Sequence, residues 1–105
     1  MPQAGRFNPP LSVKAWSAAT TGATTNSAVL NTYCSPFVTA AGNVSGACTV
    51  YLMLSIDGTT FYQGPSTVMA GAGNFYLNAT VGVQWVALQT SSSVTATAVL
   101  SAKEG

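Results

Sequence analysis

Few side chains in this sequence could transfer protons. The chain contains no histidine, and its only side-chain carboxylates are Asp57 and Glu104. General acid–base catalysis needs a group that titrates near the working pH, most often histidine, or two carboxylates held together. Glycoside hydrolysis likewise needs two carboxylates on either side of the sugar. Because these two acids are far apart in the sequence, we expect no enzymatic activity and no catalytic residue.

Metal and cofactor sites are not indicated either. Zinc takes four Cys, His or carboxylate ligands, and Cys34 and Cys48 supply at most half of such a set. Calcium needs several oxygen ligands around one point, for which Asp57 alone is a poor beginning. The glycines at residues 71–73 precede a predicted strand rather than a helix, so they do not form a phosphate-binding loop. We therefore expect no metal, no cofactor and no small-molecule substrate.

The two cysteines allow two interpretations. If residues 33–39 and 47–55 formed a hairpin, Cys34 and Cys48 would lie opposite each other and could form a disulfide. Closing a loop of about fifteen residues would add roughly 3 kcal/mol to the stability. Without an export signal, however, the chain is expected to fold in a reducing compartment, where buried thiols are ordinary core residues.

The low charge of the chain restricts its partners. Only 5% of the residues are charged, and the net charge is +1. Arg6, Lys14 and Lys103 are scattered singly, so they cannot neutralise a run of phosphates, and we expect no nucleic-acid binding. No apolar run approaches the roughly 18 residues that span a bilayer, and we expect no membrane contact. A surface with so few charges indicates a protein that functions within an assembly.

Alternation of apolar and polar residues with period two is the clearest structural signal. It is typical of strands with one buried face, and it occurs in residues 47–55, 74–81 and 94–101. The predicted buried sets are Cys48, Val50, Leu52 and Leu54; Phe75, Leu77, Ala79 and Val81; and Val94, Ala96, Ala98 and Leu100.

Weaker strand signals fill most of the remaining chain. They lie at residues 11–19, where Trp16 breaks the alternation and indicates a bulge, and at residues 27–31, 33–39, 61–63 and 83–89. Seven or eight short strands predict an all-β fold, an antiparallel β-sandwich or a jelly roll. We expect one domain over residues 11–105, preceded by an extended N-terminal arm at residues 1–10.

Residues 83–89 are apolar on both faces of the predicted strand. Val83, Trp85 and Ala87 share one face, while Val86 and Leu88 share the other. The segment is either a central strand that is covered on both sides or a surface strand whose outer face meets a partner.

One motif is distinctive, the sequence Leu-Met-Leu-Ser-Ile-Asp-Gly-Thr-Thr-Phe-Tyr at residues 52–62. Asp57-Gly58 predicts a tight turn between an apolar strand and a strand that begins with aromatic residues. The motif is followed by Asn-Phe-Tyr-Leu-Asn at residues 74–78 and by a Thr- and Val-rich strand at residues 94–101. This order resembles small β-sandwich proteins of tailed-bacteriophage virions, and the resemblance covers residues 27–102.

The resemblance implies a virion structural protein, either a capsid decoration (cement) protein or a tail, neck or head-fibre accessory protein. Decoration proteins of this kind are small and non-catalytic, and many are homotrimers that clamp neighbouring subunits of the major capsid protein. By this resemblance the chain is made in the host cytoplasm and is located on the capsid surface of the virion.

Several residues are candidates for contact with the shell. Pro9 and Pro10 favour an extended arm, which loses less entropy on docking than a flexible segment does. Trp16, Tyr51 and Met53 are the apolar side chains best placed for contact outside the core, although Trp16 fits the core equally well. Several such contacts around one symmetry axis would give slow release.

A carbohydrate- or receptor-binding sandwich is the alternative from a different functional class. In that interpretation Trp16, Trp85 and several tyrosines form a stacking platform, and Asn and Gln side chains supply hydrogen bonds.

Overall fold

The structure, a computed structural model, describes residues 11–33 and 35–103, and these residues form eight strands and no helix. Accordingly, the described part of the chain contains no helix that is long and apolar enough to cross a membrane. The strands are β1 (Leu11–Thr20), β2 (Leu30–Asn31), β3 (Phe37–Val44), β4 (Cys48–Ser55), β5 (Tyr62–Met69), β6 (Gly73–Thr80), β7 (Trp85–Thr90) and β8 (Thr95–Lys103).

The strands form two antiparallel sheets of four strands each. The first sheet has the order β1-β8-β3-β6 and the second has the order β2-β7-β4-β5. The chain therefore pairs its first strand with its last, its second with its seventh, its third with its sixth and its fourth with its fifth. This nested pairing of eight strands in two packed sheets is the topology of a jelly roll. The expected all-β sandwich of seven or eight strands is confirmed.

The core lies between the two sheets, as the alternation predicts. The inner face of the first sheet contributes small residues from β8 and β3, and that of the second contributes larger aliphatic ones from β4 and β7. All members of the predicted buried sets except three are in this core. The exceptions, Leu54, Ala79 and Val94, are partly buried and pack against it. The core residues are Ala15, Trp16, Leu30, Val38, Ala40, Val44, Cys48, Val50, Leu52, Phe75, Leu77, Val81, Val86, Leu88, Ala96, Ala98, Leu100 and Ala102.

The expected irregularity in β1 is present. Pairing with β8 shifts register between Lys14 and Trp16, and again between Trp16 and Ala19. Because of the first shift, the consecutive residues Ala15 and Trp16 are both buried. The indole of Trp16 therefore belongs to the core.

The predicted hairpin between residues 33–39 and 47–55 is wrong. Residues 37–44 form β3, which pairs with β6 and β8 in the first sheet, whereas β4 pairs with β5 and β7 in the second. Alternation identifies the buried face of a strand but not the strand with which it pairs. It therefore does not indicate that β3 and β4, although consecutive in the sequence, lie in different sheets. Cys48 is a buried free thiol, and burial raises its pKa. Cys34 lies outside the described residues, and the hairpin that suggested a disulfide with Cys48 does not form.

The structure corrects the extent of one further strand and decides the environment of another. The strand predicted at residues 61–63 continues to Met69, because the whole of β5 pairs with β4 as an edge strand. Such an edge position tolerates Pro65, which has no N–H to donate. The segment at residues 83–89 forms β7, which lies between β2 and β4 and is buried on both faces from Val86 to Thr90. The interpretation as a central strand covered on both sides is confirmed.

Candidate functional site

Asp57 has a structural role in the turn between β4 and β5. Its Oδ1 atom accepts hydrogen bonds from the backbone N–H of Thr59 at 2.8 Å and of Thr60 at 2.9 Å, and from Ser55 Oγ at 3.0 Å. Ser55 Oγ in turn accepts the N–H of Gly58 at 2.9 Å. The backbone donors of Thr60 and Thr59, followed by the Ser55 hydroxyl, lower the pKa of Asp57. A carboxylate held in its ionised form by the turn is poorly suited to transfer a proton near neutral pH.

The same turn packs against β7. Gly58 has a φ of +80°, and a Cβ atom there would lie 3.1–3.3 Å from three atoms of the Trp85 indole. Only glycine combines this backbone conformation with such a close approach. The turn is therefore fixed on the half-buried side chain of Trp85.

No group of three or more Cys, Asp or Glu side chains that could hold a metal ion occurs within residues 11–33 and 35–103.

The residues expected to meet a partner are less available than their sequence pattern indicated. Trp16 is 5% exposed and belongs to the core, which was the equal alternative at that position. Met53 is 4% exposed, and Tyr51 is half-buried. Contrary to expectation, little of the Met53 side chain is open to contact in the single chain. Pro9, Pro10 and the arm at residues 1–10 lie outside the described residues.

Met53 is buried on the outer side of the second sheet rather than in the core. It pairs with Ala87, which has no exposed surface, and the core residues Val86 and Leu88 point to the opposite side. Gln89 is also on this outer face, and its Nε2 donates to Asn26 Oδ1 at 2.7 Å. The centre of this face is therefore closed in the single chain.

Four of the eight exposed large apolar residues among those described lie at one end of the sandwich. At this end β2 finishes with Asn31, β4 finishes with Ser55 and β7 begins with Trp85, which pairs with both of them. Ile56 directly follows Ser55 and is 81% exposed, and Tyr62 begins β5 opposite Leu54 and is 67% exposed.

The loop after β2 brings two more aromatic residues to this end. Tyr33 is 68% exposed, and Phe37, at the start of β3, is 41% exposed. The loop is tied to the connection between β6 and β7, since the Thr32 N–H donates to the Gln84 carbonyl and the Val81 N–H donates to the Pro36 carbonyl. We call Tyr33, Phe37, Ile56 and Tyr62 together the apolar end.

Tyr33 is held at this end in an uncommon backbone conformation. Its φ is +47°, in the left-handed region that bulky residues rarely adopt. Its N–H donates to the Asn31 side-chain Oδ1 at 2.9 Å, which stabilises the bend. Strain of this kind is concentrated at functional sites, where the orientation of a side chain matters more than local stability.

The first described residue lies near the apolar end. Leu11 pairs with Ala102 of β8, and the next residue of β8, Lys103, pairs with Phe37. The beginning of β1, which follows residues 1–10 in the chain, is therefore close to the exposed aromatic residues of this end.

Sequence reasoning did not identify the apolar end. One available signal was Ile56, a large aliphatic residue directly before Asp57-Gly58, where turns usually carry polar residues. Tyr33, Phe37 and Tyr62 carried no such signal, because strand patterns do not indicate which residues at the ends of strands remain uncovered.

No family model matches the chain, and neither the curated proteins nor the solved structures contain a significant match to it.

Proposed function

We propose that the chain is a capsid decoration (cement) protein of a tailed bacteriophage, located on the capsid surface of the virion, and that it docks on the shell through the apolar end. The observation that carries this proposal is the concentration of Tyr33, Phe37, Ile56 and Tyr62 at one end of the sandwich. The resemblance of residues 52–62 and of the later strands to small phage virion proteins agrees with it.

The chemistry of the apolar end suits permanent attachment. Among the described residues, charged side chains are restricted to Lys14, Asp57 and Lys103. Asp57 follows Ile56 and Lys103 pairs with Phe37, so contact with the major capsid protein relies chiefly on apolar area and backbone hydrogen bonds, with these two charges at its border. Aromatic residues are the ones that contribute most at interfaces. Contacts of this type are little weakened by salt, which screens interactions between charges.

Attachment through four apolar side chains buries only a modest area in each subunit. Stable interfaces usually bury about 800 Å² on each partner. A homotrimer that presents three such ends around one axis multiplies the attachment, because the second and third contacts form intramolecularly. Clamping of neighbouring major capsid subunits and stabilisation of the head follow from this arrangement.

The arm at residues 1–10 extends the same contact in this proposal. Leu11, the residue that follows the arm, lies near Phe37. Pro9 and Pro10 favour an extended conformation. A pre-stiffened arm can reach a neighbouring subunit at a lower entropic cost than a flexible one. The jelly-roll topology agrees with the proposal, since jelly rolls are common in viral capsid proteins.

A tail, neck or head-fibre accessory protein could use the same surface. The number of copies in each particle separates the two, since decoration proteins cover the shell and tail parts occupy a single axis. The experiment is gel densitometry of purified particles of the virus that encodes the chain, with the major capsid protein as the internal standard. For a homotrimer, three copies at each occupied threefold position of the capsid are expected. A few copies in each particle would assign the chain to the tail or neck, and its absence from particles would contradict a virion function.

A further inference from the structure

The outer face of the first sheet is a regular array of side chains, of which the proposed docking uses only Phe37. Cross-strand pairing places Lys103, Phe37 and Thr80 in one row. The next row contains Ser12, Ser101, Thr39 and Asn78, and the third contains Lys14, Val99, Ala41 and Tyr76. Side chains of paired residues point to the same side of a sheet, so these rows form one continuous surface.

A groove of about 590 Å³ lies on this surface over β3 and β6. Tyr76 is 62% exposed, and Phe37, which also belongs to the apolar end, is 41% exposed. The side chains that line the groove are chiefly Phe37, Thr39, Tyr76, Asn78, Thr80 and Lys103. The volume is in the range of small-molecule sites, in which a few polar groups fix a ligand against apolar surfaces.

Hydrogen bonds hold the Tyr76 side chain in position. Thr39 Oγ1 donates to Asn78 Oδ1 at 2.7 Å, and Asn78 Nδ2 donates to the Tyr76 hydroxyl at 2.8 Å. The Tyr76 hydroxyl still has its own hydrogen to donate. An exposed aromatic ring fixed in this way can bind a flat apolar ligand face without losing further side-chain entropy.

Among the described residues, the charges of this face have one sign. Lys103 lines the groove, and Lys14 is in the same row as Tyr76. None of the described residues of the outer face is a carboxylate, because Asp57, the only acidic residue among residues 11–33 and 35–103, is in the turn after β4. The only charge that a described side chain brings to the groove is therefore the positive one of Lys103, which favours a ligand that carries a carboxylate.

We propose that this groove binds an oligosaccharide that contains a carboxylate-bearing sugar. The apolar face of a sugar ring would stack on Tyr76 and Phe37, its hydroxyls would bond to Thr39, Asn78 and Thr80, and its carboxylate would pair with Lys103. Two separated lysines cannot bind a run of phosphates, so a nucleic acid does not fit this surface. The groove shares Phe37 with the apolar end, but its other lining side chains, among them Tyr76 and Lys103, take no part in the proposed capsid attachment.

The first test is the binding of the purified full chain to an array of neutral, uronic-acid and sialic-acid oligosaccharides. We expect retention of carboxylate-bearing oligosaccharides, followed by titration of the best one and of its neutral counterpart. Loss of the carboxylate, or Lys103→Gln, should weaken binding about two- to fivefold, which is typical of an exposed ion pair. Binding of no oligosaccharide, or of neutral ones only, would overturn the proposal.

The second test locates the site. Tyr76→Ala should weaken binding about tenfold because it removes the stacking surface. Tyr62→Ala is the matched control, since Tyr62 is also exposed, at 67%, but belongs to the other sheet, and it should leave binding unchanged. Both residues are on the surface, so the variants should fold normally, which circular dichroism checks. Unchanged binding by Tyr76→Ala, or an equal loss in Tyr62→Ala, would overturn the proposal.

Discussion

Gly58 lies against the indole ring of Trp85 so closely that a Cβ atom at Gly58 would be 3.1 Å from Trp85 Cε2. This contact joins the turn after β4 to the beginning of β7. Ile56, the most exposed large apolar residue among those described, is carried by the same turn. The contact thus connects the most specific motif of the sequence to the surface that we propose for docking.

Gly58→Ala should destabilise the protein. The added methyl group would meet the indole, and alanine would have to adopt a φ of +80°. A left-handed conformation at a residue other than glycine costs roughly 1–2 kcal/mol, and displacement of the indole adds to this. Urea unfolding measures the loss. Gly71→Ala is the control, since nothing lies within 4 Å of a Cβ atom there, and an equal effect of both substitutions would contradict the account.

The stability of the protein should depend on the ionisation of Asp57. Its pKa is lower in the folded chain than in the unfolded chain, because the N–H groups of Thr60 and Thr59 and the Ser55 hydroxyl bind the carboxylate. A depressed folded pKa contributes stability above the unfolded pKa of about 3.9, and this contribution is lost as the pH falls through the folded value.

We therefore expect Asp57→Asn to lower the free energy of unfolding near neutral pH and to flatten its decline in acid. Urea unfolding from about pH 6 to about pH 2 tests this. Glu104→Gln, which removes the only other side-chain carboxylate, is the control. A steep acid decline that persists in Asp57→Asn would assign the pH dependence to another group.

Ser27→Ala should leave a buried backbone donor without a partner. Ser27 Oγ accepts the N–H of Leu88 at 2.8 Å. β2 pairs only with Trp85 and Val86 of β7, so it supplies no partner for the N–H of Leu88. Ser27 is buried, and the loss of such a partner costs about 1–3 kcal/mol. Thermal unfolding of Ser27→Ala measures the loss of stability. The control is Ser12→Ala, which changes an exposed serine on β1. If the free energies of unfolding of the two variants differed by less than about 0.5 kcal/mol, the hydrogen bond would be readily replaced and the prediction would be wrong.

Deletion of residues 1–10 should leave the β-sandwich folded and weaken its attachment to capsids. The residues of the described core, and Leu11 and Val13 that pack against it, are all retained in the truncated chain. Circular dichroism checks the fold, and co-sedimentation with capsids that lack the protein measures the attachment. Unchanged capsid occupancy by the truncated protein would remove the arm from the mechanism.

The sequence was sufficient to predict the faces of most strands. Alternation in β4, β6 and β8 identified their buried residues, and the departure from alternation at Trp16 identified the bulge in β1. These are local properties, since one residue of each pair must point into the core wherever a sheet has one buried side.

Strand partners and surface positions could not be predicted in the same way. Consecutive strands β3 and β4 belong to opposite sheets, because jelly-roll closure pairs strands that are distant in the sequence. Met53 was assigned to an open surface, yet the outer face around it is closed. The exposure of Tyr33 and Tyr62 likewise depends on how the loops pack at the end of the sandwich.

The most direct test of docking through the apolar end compares the capsid occupancy of Ile56→Ser with that of Val68→Ser. Both residues are aliphatic and highly exposed, at 81% and 76%, but Val68 pairs with Thr49 at the opposite end of the second sheet. We expect Ile56→Ser to reduce the fraction of protein that co-sediments with capsids, while Val68→Ser binds as the unmodified chain does. Equal occupancy of the two variants would contradict docking through the apolar end.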